Sequence, residues 1–362
     1  MIYLSELLLY VCFCIVVGNQ LLAFVPADKR PMVAVPNWLI NLCIIGIALL
    51  SFSPVLTVTL TFAKEYNEGF WTIFKGILMD FNIGHAWLVT WFLCLILLLL
   101  RILNKIANDP IFEYMGAFLT FTLILAFGWA SHCMASYGLK GFIPHAIHFL
   151  SVTVWIGILI VVGWFSKNRD NWLKFLKWFS PIAFICVVAS ISAGFFLMNL
   201  LVPDYVNSWI VPYGQALLIK HLLIIPLLTF AFINGVLVRR TLKINPNFNP
   251  IPWARAESMV ALLVFTAMAV MGQQSTPENI AAIIKFEKPS WLFESFYQGN
   301  VELNTSIAVG INATSVALMI AAIIFLLGMV ILFRKKANSV VVTVCGLLFV
   351  VVSYVAIMKS IL

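Results

Sequence analysis

The sequence predicts an all-α membrane protein, a polytopic bundle of about ten transmembrane helices. Of its 362 residues, 63% are hydrophobic and only 10% are charged. A soluble domain carries about a quarter charged residues. The apolar residues form runs of about 20, the length that a helix needs to cross a bilayer. The composition therefore excludes an ordinary globular enzyme, and we expect a membrane protein without an enzymatic role.

Ten apolar runs give the predicted helices. They cover residues 3–24, 38–62, 82–103, 112–132, 143–165, 180–202, 214–238, 254–272, 305–333 and 338–358. Pro181 is expected near the start of its helix. Pro226 lies inside the seventh run and predicts a kink, because proline removes a helical hydrogen bond. The longest break, 273–304, exceeds a tight turn, so we expect it to fold on the surface.

Lysine and arginine lie mainly in alternate breaks between the predicted helices. These breaks hold Lys29, Arg30, Arg101, Lys105, Lys167, Arg169, Lys174, Lys177, Arg239, Arg240, Lys243, Arg255, Arg334, Lys335 and Lys336. The other breaks and the two ends hold only Lys64, Lys75, Lys140, Lys285, Lys288 and Lys359. Because cytoplasmic loops are enriched in positive charge, this division predicts that both termini lie outside.

The features of several other protein classes are missing from the sequence. The net charge of +8 comes from residues in helix breaks, so we expect no nucleic-acid partner. The seven cysteines are scattered singly, which argues against a disulfide framework or a structural zinc site. Cys12 and Cys14 face nearly opposite sides of a helix and are interpreted as packing residues. Without a Walker A loop, an ATP-driven pump in a single chain is not expected.

All five histidines fall on the outer side of the predicted topology. His85 is expected at the start of the third helix and His132 at the end of the fourth. His145 and His148 are expected to open the fifth helix, and His221 to lie about two turns into the seventh. Because the inner breaks contain no histidine, this distribution indicates a site at the outer face.

These residue types favour copper. His145 and His148 are three residues apart, so their rings project from one helical face and can share a partner. Cys133 and Met134 follow His132 directly and add two soft ligands. Imidazole, thiolate and thioether together favour copper, above all Cu(I). The alternative for each histidine is a position at the membrane interface without a ligand role.

Lys220 and three methionines are candidates for a structural or pathway role. Met198, Met268 and Met271 lie in the outer halves of their predicted helices, although methionine in apolar helices mostly serves packing. Lys220 lies within a helix, where a charge costs roughly 2.5–3.5 kcal/mol on insertion scales. It either faces the bundle interior or extends its ammonium group to the outer surface.

Residues 145–277 resemble the CopD family of bacterial copper-resistance membrane proteins. The resemblance rests on HFLSVTVWIGILIVVG at 148–163, WFSPIAFICVVASISAG at 178–194, VPYGQALLIKHLLIIPLLTFAFING at 211–235 and WARAESMVALLVFTAMAVMGQQSTP at 253–277. The family pattern is matched in chain order by His148, Trp155, Gly157, Ser192, Gly194, Tyr213, Gly214, Lys220, Asn234, Arg255 and Glu257. Trp155 thereby joins Lys220 as a candidate structural or pathway residue.

The resemblance divides the chain into four predicted regions. They are an N-terminal four-helix membrane region at 1–141, a CopD-like four-helix core at 142–277, an external loop at 278–304 and a C-terminal two-helix membrane region at 305–362.

The resemblance implies copper handling by a multi-pass protein of the bacterial cytoplasmic membrane. The leading hypothesis is a transporter that captures copper at its outer face through the histidines and carries it inward. Its expected partners are the copper ion, the lipid bilayer and a separate periplasmic or extracellular copper-binding protein. One alternative is a copper store, sensor or assembly factor without transport. The other is a haem-binding membrane redox protein, whose iron takes two histidines.

Overall fold

The computed structural model describes residues 2–297, 299, 301–302 and 305–362, and this part of the chain contains no β-strand beyond two isolated bridges. Its helices are α1 (Ile2–Ala23), α2 (Asn37–Leu50), α3 (Phe52–Glu65), α4 (Phe70–Asp80), α5 (Asn82–Ala107), α6 (Ile111–Trp129), α7 (His132–Tyr137), α8 (Leu139–Phe165), α9 (Trp172–Leu201), α10 (Pro212–Phe232), α11 (Arg239–Ile244), α12 (Ile251–Met271), α13 (Ile280–Phe286), α14 (Trp291–Glu294), α15 (Ala313–Arg334) and α16 (Ser339–Met358). A π-helical segment, Ile233–Val238, joins α10 to α11.

Ten spans among the described residues are long and apolar enough to cross a membrane. The helices α2 and α3 together form one of them, and α10 with α11 forms another. This finding confirms the predicted all-α bundle of about ten membrane helices.

Several helices begin elsewhere than the sequence predicts. α9 begins at Trp172 instead of 180, because its first turns are amphipathic. Trp172 and Phe175 are buried, whereas Lys174 and Lys177 are exposed. Pro181 therefore lies inside α9 rather than near its start. In the same way, α8 begins at Leu139 and α4 occupies a stretch expected to be a break.

The chain divides into two compact units, Met1–Leu197 and Met198–Leu362. In the first unit, α1 packs against α2, α6 and α8, and α5 packs against α2, α4 and α6. The backbones of α1 and α8 approach closely where Gly18 meets Gly157, since a Cβ at Gly18 would lie 2.2 Å from the carbonyl oxygen of Gly157. Small residues allow such close crossings of membrane helices.

Two basic breaks of the first unit lie together at one end of its helices. The peptide N–H of Ala34, after α1, donates to the carbonyl oxygen of Phe165 at 3.0 Å. The peptide N–H of Lys167, after α8, donates to the carbonyl oxygen of Met32 at 2.8 Å. Two breaks that are rich in lysine and arginine, and separate in the sequence, are thus neighbours in the structure. That this end faces the cytoplasm stays a prediction.

In the second unit, α10 packs against α12, α14 and α16, and α15 packs against α16. The break predicted to fold on the surface contains the short helices α13 and α14 in its described part. Phe293 of α14 is fully buried, and the peptide N–H of Ser290 donates to the carbonyl oxygen of Ile210 at 2.8 Å. This segment is therefore fixed to the chain that leads into α10.

Candidate functional site

His148 is held between α8 and α9 of the first unit. Its Nδ1 lies 2.8 Å from the carbonyl oxygen of Ser190 and 3.2 Å from the Oγ of the same residue. Gly194 lies one turn further along α9, where a Cβ would be 3.6 Å from the imidazole ring. The small residue at this position leaves room for the ring, which gives a physical reason for glycine at this family-pattern position.

The carbonyl acceptor fixes the tautomer of His148. A carbonyl oxygen only accepts, so Nδ1 carries the proton, and Nε2 of the neutral ring carries the lone pair. Metal-binding histidines usually donate their second N–H to such an acceptor, which orients the ring. His85 has the complementary arrangement, because its Nε2 lies 2.7 Å from the carbonyl oxygen of Met79. In neutral His85 the lone pair therefore lies on Nδ1.

His145 lies one turn before His148 but has different neighbours. Its ring centroid is 6.1 Å from that of Phe127 on α6. The Phe127 ring is in turn 4.5 Å from Phe149 and 6.2 Å from Tyr10. His145 thus borders an aromatic cluster between α1, α6 and α8, whereas His148 contacts α9. A ligand shared by the two histidines stays a prediction.

His132 begins the short helix α7 and does not end the fourth predicted helix, so that expectation was wrong. The N-cap is Ser131, whose Oγ accepts from the peptide N–H of Met134 at 3.2 Å. This single polar cap is the one local signal of the break in a stretch that otherwise resembles continuous helix. Cys133 is buried, and its carbonyl oxygen would lie 2.0 Å from a Cβ at Gly141 of α8.

The candidate ligands of the first unit do not converge on one point. The described residues contain no group of three or more histidine, cysteine, aspartate or glutamate side chains that could hold a metal ion. His85 instead lies 6.3 Å from the ring of Trp129. The residues best prepared to act as ligands are His85 and His148, because a backbone carbonyl orients each ring.

His221 belongs to the second unit, where the hydroxyl of Tyr205 lies 2.8 Å from its Nδ1. Burial raises the pKa of Tyr205 to about 12, so this phenol is protonated at neutral pH. A hydroxyl both donates and accepts, so the contact does not fix the tautomer of His221. The neighbouring Lys220 is half-buried, and its ammonium group has no hydrogen bond or ion pair with a described residue.

A buried polar pair occupies two further positions of the family pattern. The Nδ2 of Asn234 donates to Oε2 of Glu257 at 2.7 Å and to the carbonyl oxygen of Trp253 at 3.0 Å. Glu257 is only 2% exposed. Asn234 lies in the π-helical segment, a local widening of the helix that often occurs at functional sites. The sequence pattern thus marked two residues that are in contact across α10–α11 and α12.

Sequence reasoning missed one contact between possible soft ligands. The side chain of Cys12 on α1 lies close to that of Cys43 on α2. A Cβ at Gly46, one turn after Cys43, would lie 3.0 Å from the Sγ of Cys12. No spacing in the sequence signals this pair, since it depends on how α1 packs against α2.

The remaining predicted residues occupy scattered positions. Trp155 is buried, and its indole Nε1–H finds no hydrogen-bond partner among the described residues. The half-buried methionines Met198, Met268 and Met271 lie in the last turns of α9 and α12. A pathway role for these four residues stays a prediction.

Residues 173–271 match the family model described as CopD, copper resistance protein D. The match confirms the resemblance predicted from the sequence over residues 173–271. It covers α10, α12 and nearly all of α9, and it begins after the helix that carries His145 and His148. No curated protein and no solved structure matches the chain.

Proposed function

Since residues 173–271 carry a copper resistance protein D segment within a multi-pass membrane protein, we propose that the chain captures copper at the outer face of the membrane and carries it inward. The membrane in question is the bacterial cytoplasmic membrane. A separate copper-binding protein outside the membrane would deliver the ion. Copper is here the cargo, in the Cu(I) state that imidazole and thiolate ligands favour.

The orientation of His148 is the observation that carries this proposal. Its Nδ1–H is directed to the carbonyl oxygen of Ser190 at 2.8 Å, so its Nε2 is the nitrogen that can bind a soft cation. His145 lies one turn before His148 on the same helix, and we assign it as the second imidazole. The side chains of Cys12 and Cys43 lie close together near the middle of α1, and we propose them as soft ligands further along the first unit.

Copper titration tests the outer site directly. We expect His145→Ala with His148→Ala to remove most bound copper from the purified protein. Loss of an orienting partner alone typically lowers metal affinity by about 10–100-fold, and loss of ligands should cost more. The matched control is Ile143→Ala with Ile147→Ala, because both isoleucines are exposed positions of the same helix. Copper binding that is unchanged in the histidine variant would refute the site.

The same preparations separate the alternatives. A haem protein absorbs strongly in the visible range. If the histidine variant lost a haem spectrum and not bound copper, the haem-binding redox function would be favoured over copper capture. Copper uptake into proteoliposomes distinguishes transport from storage or sensing. Copper binding without uptake would support the outer site and refute inward transport.

The orientation of the chain is tested with single cysteines introduced at exposed positions. We expect a membrane-impermeant maleimide to label Lys288→Cys in intact cells and to label Arg240→Cys only after lysis. This follows from the excess of lysine and arginine in the breaks assigned to the cytoplasm. The reverse result would put the histidines at the inner face and contradict capture from outside.

A further inference from the structure

A polar cleft lies among α1, α2, α5 and α6 of the first unit, at the basic end of these helices. It has a volume of about 440 Å³, within the range of about 300–1,000 Å³ found for small-molecule sites. Five amide side chains line it: Gln20, Asn37, Asn41, Asn104 and Asn108. Its charged residues are Arg101, Lys105 and Glu113. None of these groups belongs to the proposed copper site.

The positive and negative charges of the cleft are held apart. Arg101 donates from Nε to Oδ1 of Asn41 at 2.8 Å and from Nη2 to Oδ1 of Asn37 at 3.1 Å. No ion pair joins Arg101 to Glu113 within the described part of the chain. Arg101 therefore keeps about three of its five N–H groups for a ligand. Lys105 lies one turn further along the same face of α5 and adds a second positive charge.

Amide groups hold the carboxylate of Glu113 in the same way. Asn104 donates to its Oε1 at 2.9 Å, and Gln20 donates to its Oε2 at 3.2 Å. Two carboxylate oxygens offer about four acceptor positions, so the group can still accept from a ligand. The cleft thus presents separate donors for an anionic group and an acceptor for a cationic group.

The surroundings of the cleft indicate where such a ligand comes from. Ile102 lines the cleft and is 58% exposed, and Ile106, one turn further, is 79% exposed. Exposed isoleucines on a membrane-spanning helix face acyl chains. A ligand that enters beside them carries both a polar headgroup and an apolar tail.

We propose that this cleft binds the headgroup of a membrane phospholipid that carries a phosphate and a primary ammonium group. Arg101 and Lys105 bind the phosphate, since a guanidinium fork matches phosphate oxygens. Glu113 accepts from the ammonium group. The lipid belongs to the leaflet at the basic end of the bundle, which the positive-inside rule assigns to the cytoplasm. This site does not depend on copper.

Native mass spectrometry of the delipidated full chain tests the proposal with three lipids at equal concentration. The probes are phosphatidylethanolamine, phosphatidylcholine and phosphatidylglycerol with identical acyl chains. We expect phosphatidylethanolamine to be retained about tenfold better, the size expected for one charge-assisted hydrogen bond. Phosphatidylcholine has no N–H to donate to Glu113, and phosphatidylglycerol has no ammonium group. Equal retention of all three lipids by the wild type would overturn the proposal.

Two variants test the ammonium-binding and the phosphate-binding parts of the cleft separately. Glu113→Gln should abolish the preference for phosphatidylethanolamine over phosphatidylglycerol, and Lys105→Gln should weaken the retention of both. Lys105 is exposed, so its replacement leaves folding intact, and gel filtration checks both variants. The control is Arg240→Gln, an exposed cation outside the cleft, which should bind as the wild type does. Unchanged lipid selectivity in Glu113→Gln together with unchanged retention in Lys105→Gln would refute the assignment.

A soluble competitor identifies the source of the ligand. Glycerophosphoethanolamine has the same headgroup without acyl chains, and we expect it to displace the lipid only at much higher concentration. Displacement at equal concentration would show that the cleft takes a soluble phosphoester and would overturn the lipid as its occupant.

Discussion

The matched segment, residues 173–271, and the earlier segment, residues 1–172, hold different parts of the candidate copper chemistry. The matched segment contains one histidine, His221, whereas the earlier segment contains the other four. The hydroxyl that contacts His221 does not fix its tautomer, but the carbonyl group that contacts His148 does. That carbonyl belongs to Ser190, which lies in the matched segment. In this comparison a helix of the matched segment orients an imidazole that the preceding helix supplies.

The largest effect on stability is expected where two long helices of the earlier segment, α1 and α8, cross at close range. Gly18→Ala would place a Cβ 2.2 Å from the carbonyl oxygen of Gly157, so α1 and α8 must separate. Overpacking of this kind typically costs about 1–3 kcal/mol and occasionally more. We expect a large loss of monodisperse protein and a lower thermal midpoint. Because α8 carries His145 and His148, copper binding should fall with it.

Gly328→Ala is the matched control for that variant. It introduces the same methyl group into a membrane helix of the second unit, where the added Cβ has no described atom within 4 Å outside the adjoining backbone and neighbouring residues of its own helix. It should leave the yield and the thermal midpoint unchanged. If Gly18→Ala also left the yield and the thermal midpoint unchanged, the close crossing of α1 and α8 would be wrong. The placement of His145 and His148, which lie on α8, would then be wrong as well.

The ten spans were predictable because their number depends on length and apolar composition alone. The starts of α8 and α9 were not, because exposed lysines interrupt the apolar pattern of their first turns, Lys140 in α8 and Lys174 and Lys177 in α9. A hydropathy reading assigns such turns to loops. The helix α4 was missed for a related reason, since Lys75 and Asp80 interrupt its apolar residues.

Individual ligand candidates were predictable from residue type, but their partners were not. His148 stood out through its spacing from His145 and its place in the family pattern. Its contact with Ser190 joins residues 42 apart in the chain and depends on how α8 packs against α9. The thiol pair of Cys12 and Cys43 depends in the same way on α1 and α2. Sequence periodicity reports which face a residue occupies, and packing decides what that face meets.

A moderate effect is expected at the buried polar pair of the matched segment. Asn234→Leu removes the hydrogen bonds of 2.7 Å to Glu257 and 3.0 Å to the carbonyl oxygen of Trp253. A buried acceptor left without its donor costs about 1–3 kcal/mol, and more if it is charged. We expect the free energy of unfolding in detergent to fall by at least that amount. Asn199→Leu, an exposed position of α9, serves as the control.

A second substitution distinguishes loss of this pair from a general packing defect. Replacing both partners by apolar side chains can be nearly neutral, because the buried carboxylate is removed together with its amide donor. Asn234→Leu combined with Glu257→Met should therefore recover much of the lost stability. If copper binding in this double variant equals that of the wild type, Asn234 and Glu257 contribute a framework and not a ligand. Lost copper binding in a stable protein would instead assign Glu257 a direct role.

The smallest effect is expected from the groups that contact the two imidazoles. Ser190→Ala removes the Oγ contact of 3.2 Å with His148 but keeps the carbonyl contact of 2.8 Å. Copper affinity should therefore fall by less than the roughly tenfold lower limit typical for loss of an orienting partner. Tyr205→Phe removes the hydroxyl that contacts His221 at 2.8 Å and keeps the aromatic ring. If the ligands lie in the earlier segment, Tyr205→Phe should leave copper affinity unchanged in the same competition titration. A larger loss in Tyr205→Phe than in Ser190→Ala would reverse the comparison, because the decisive imidazole would then be His221 of the matched segment.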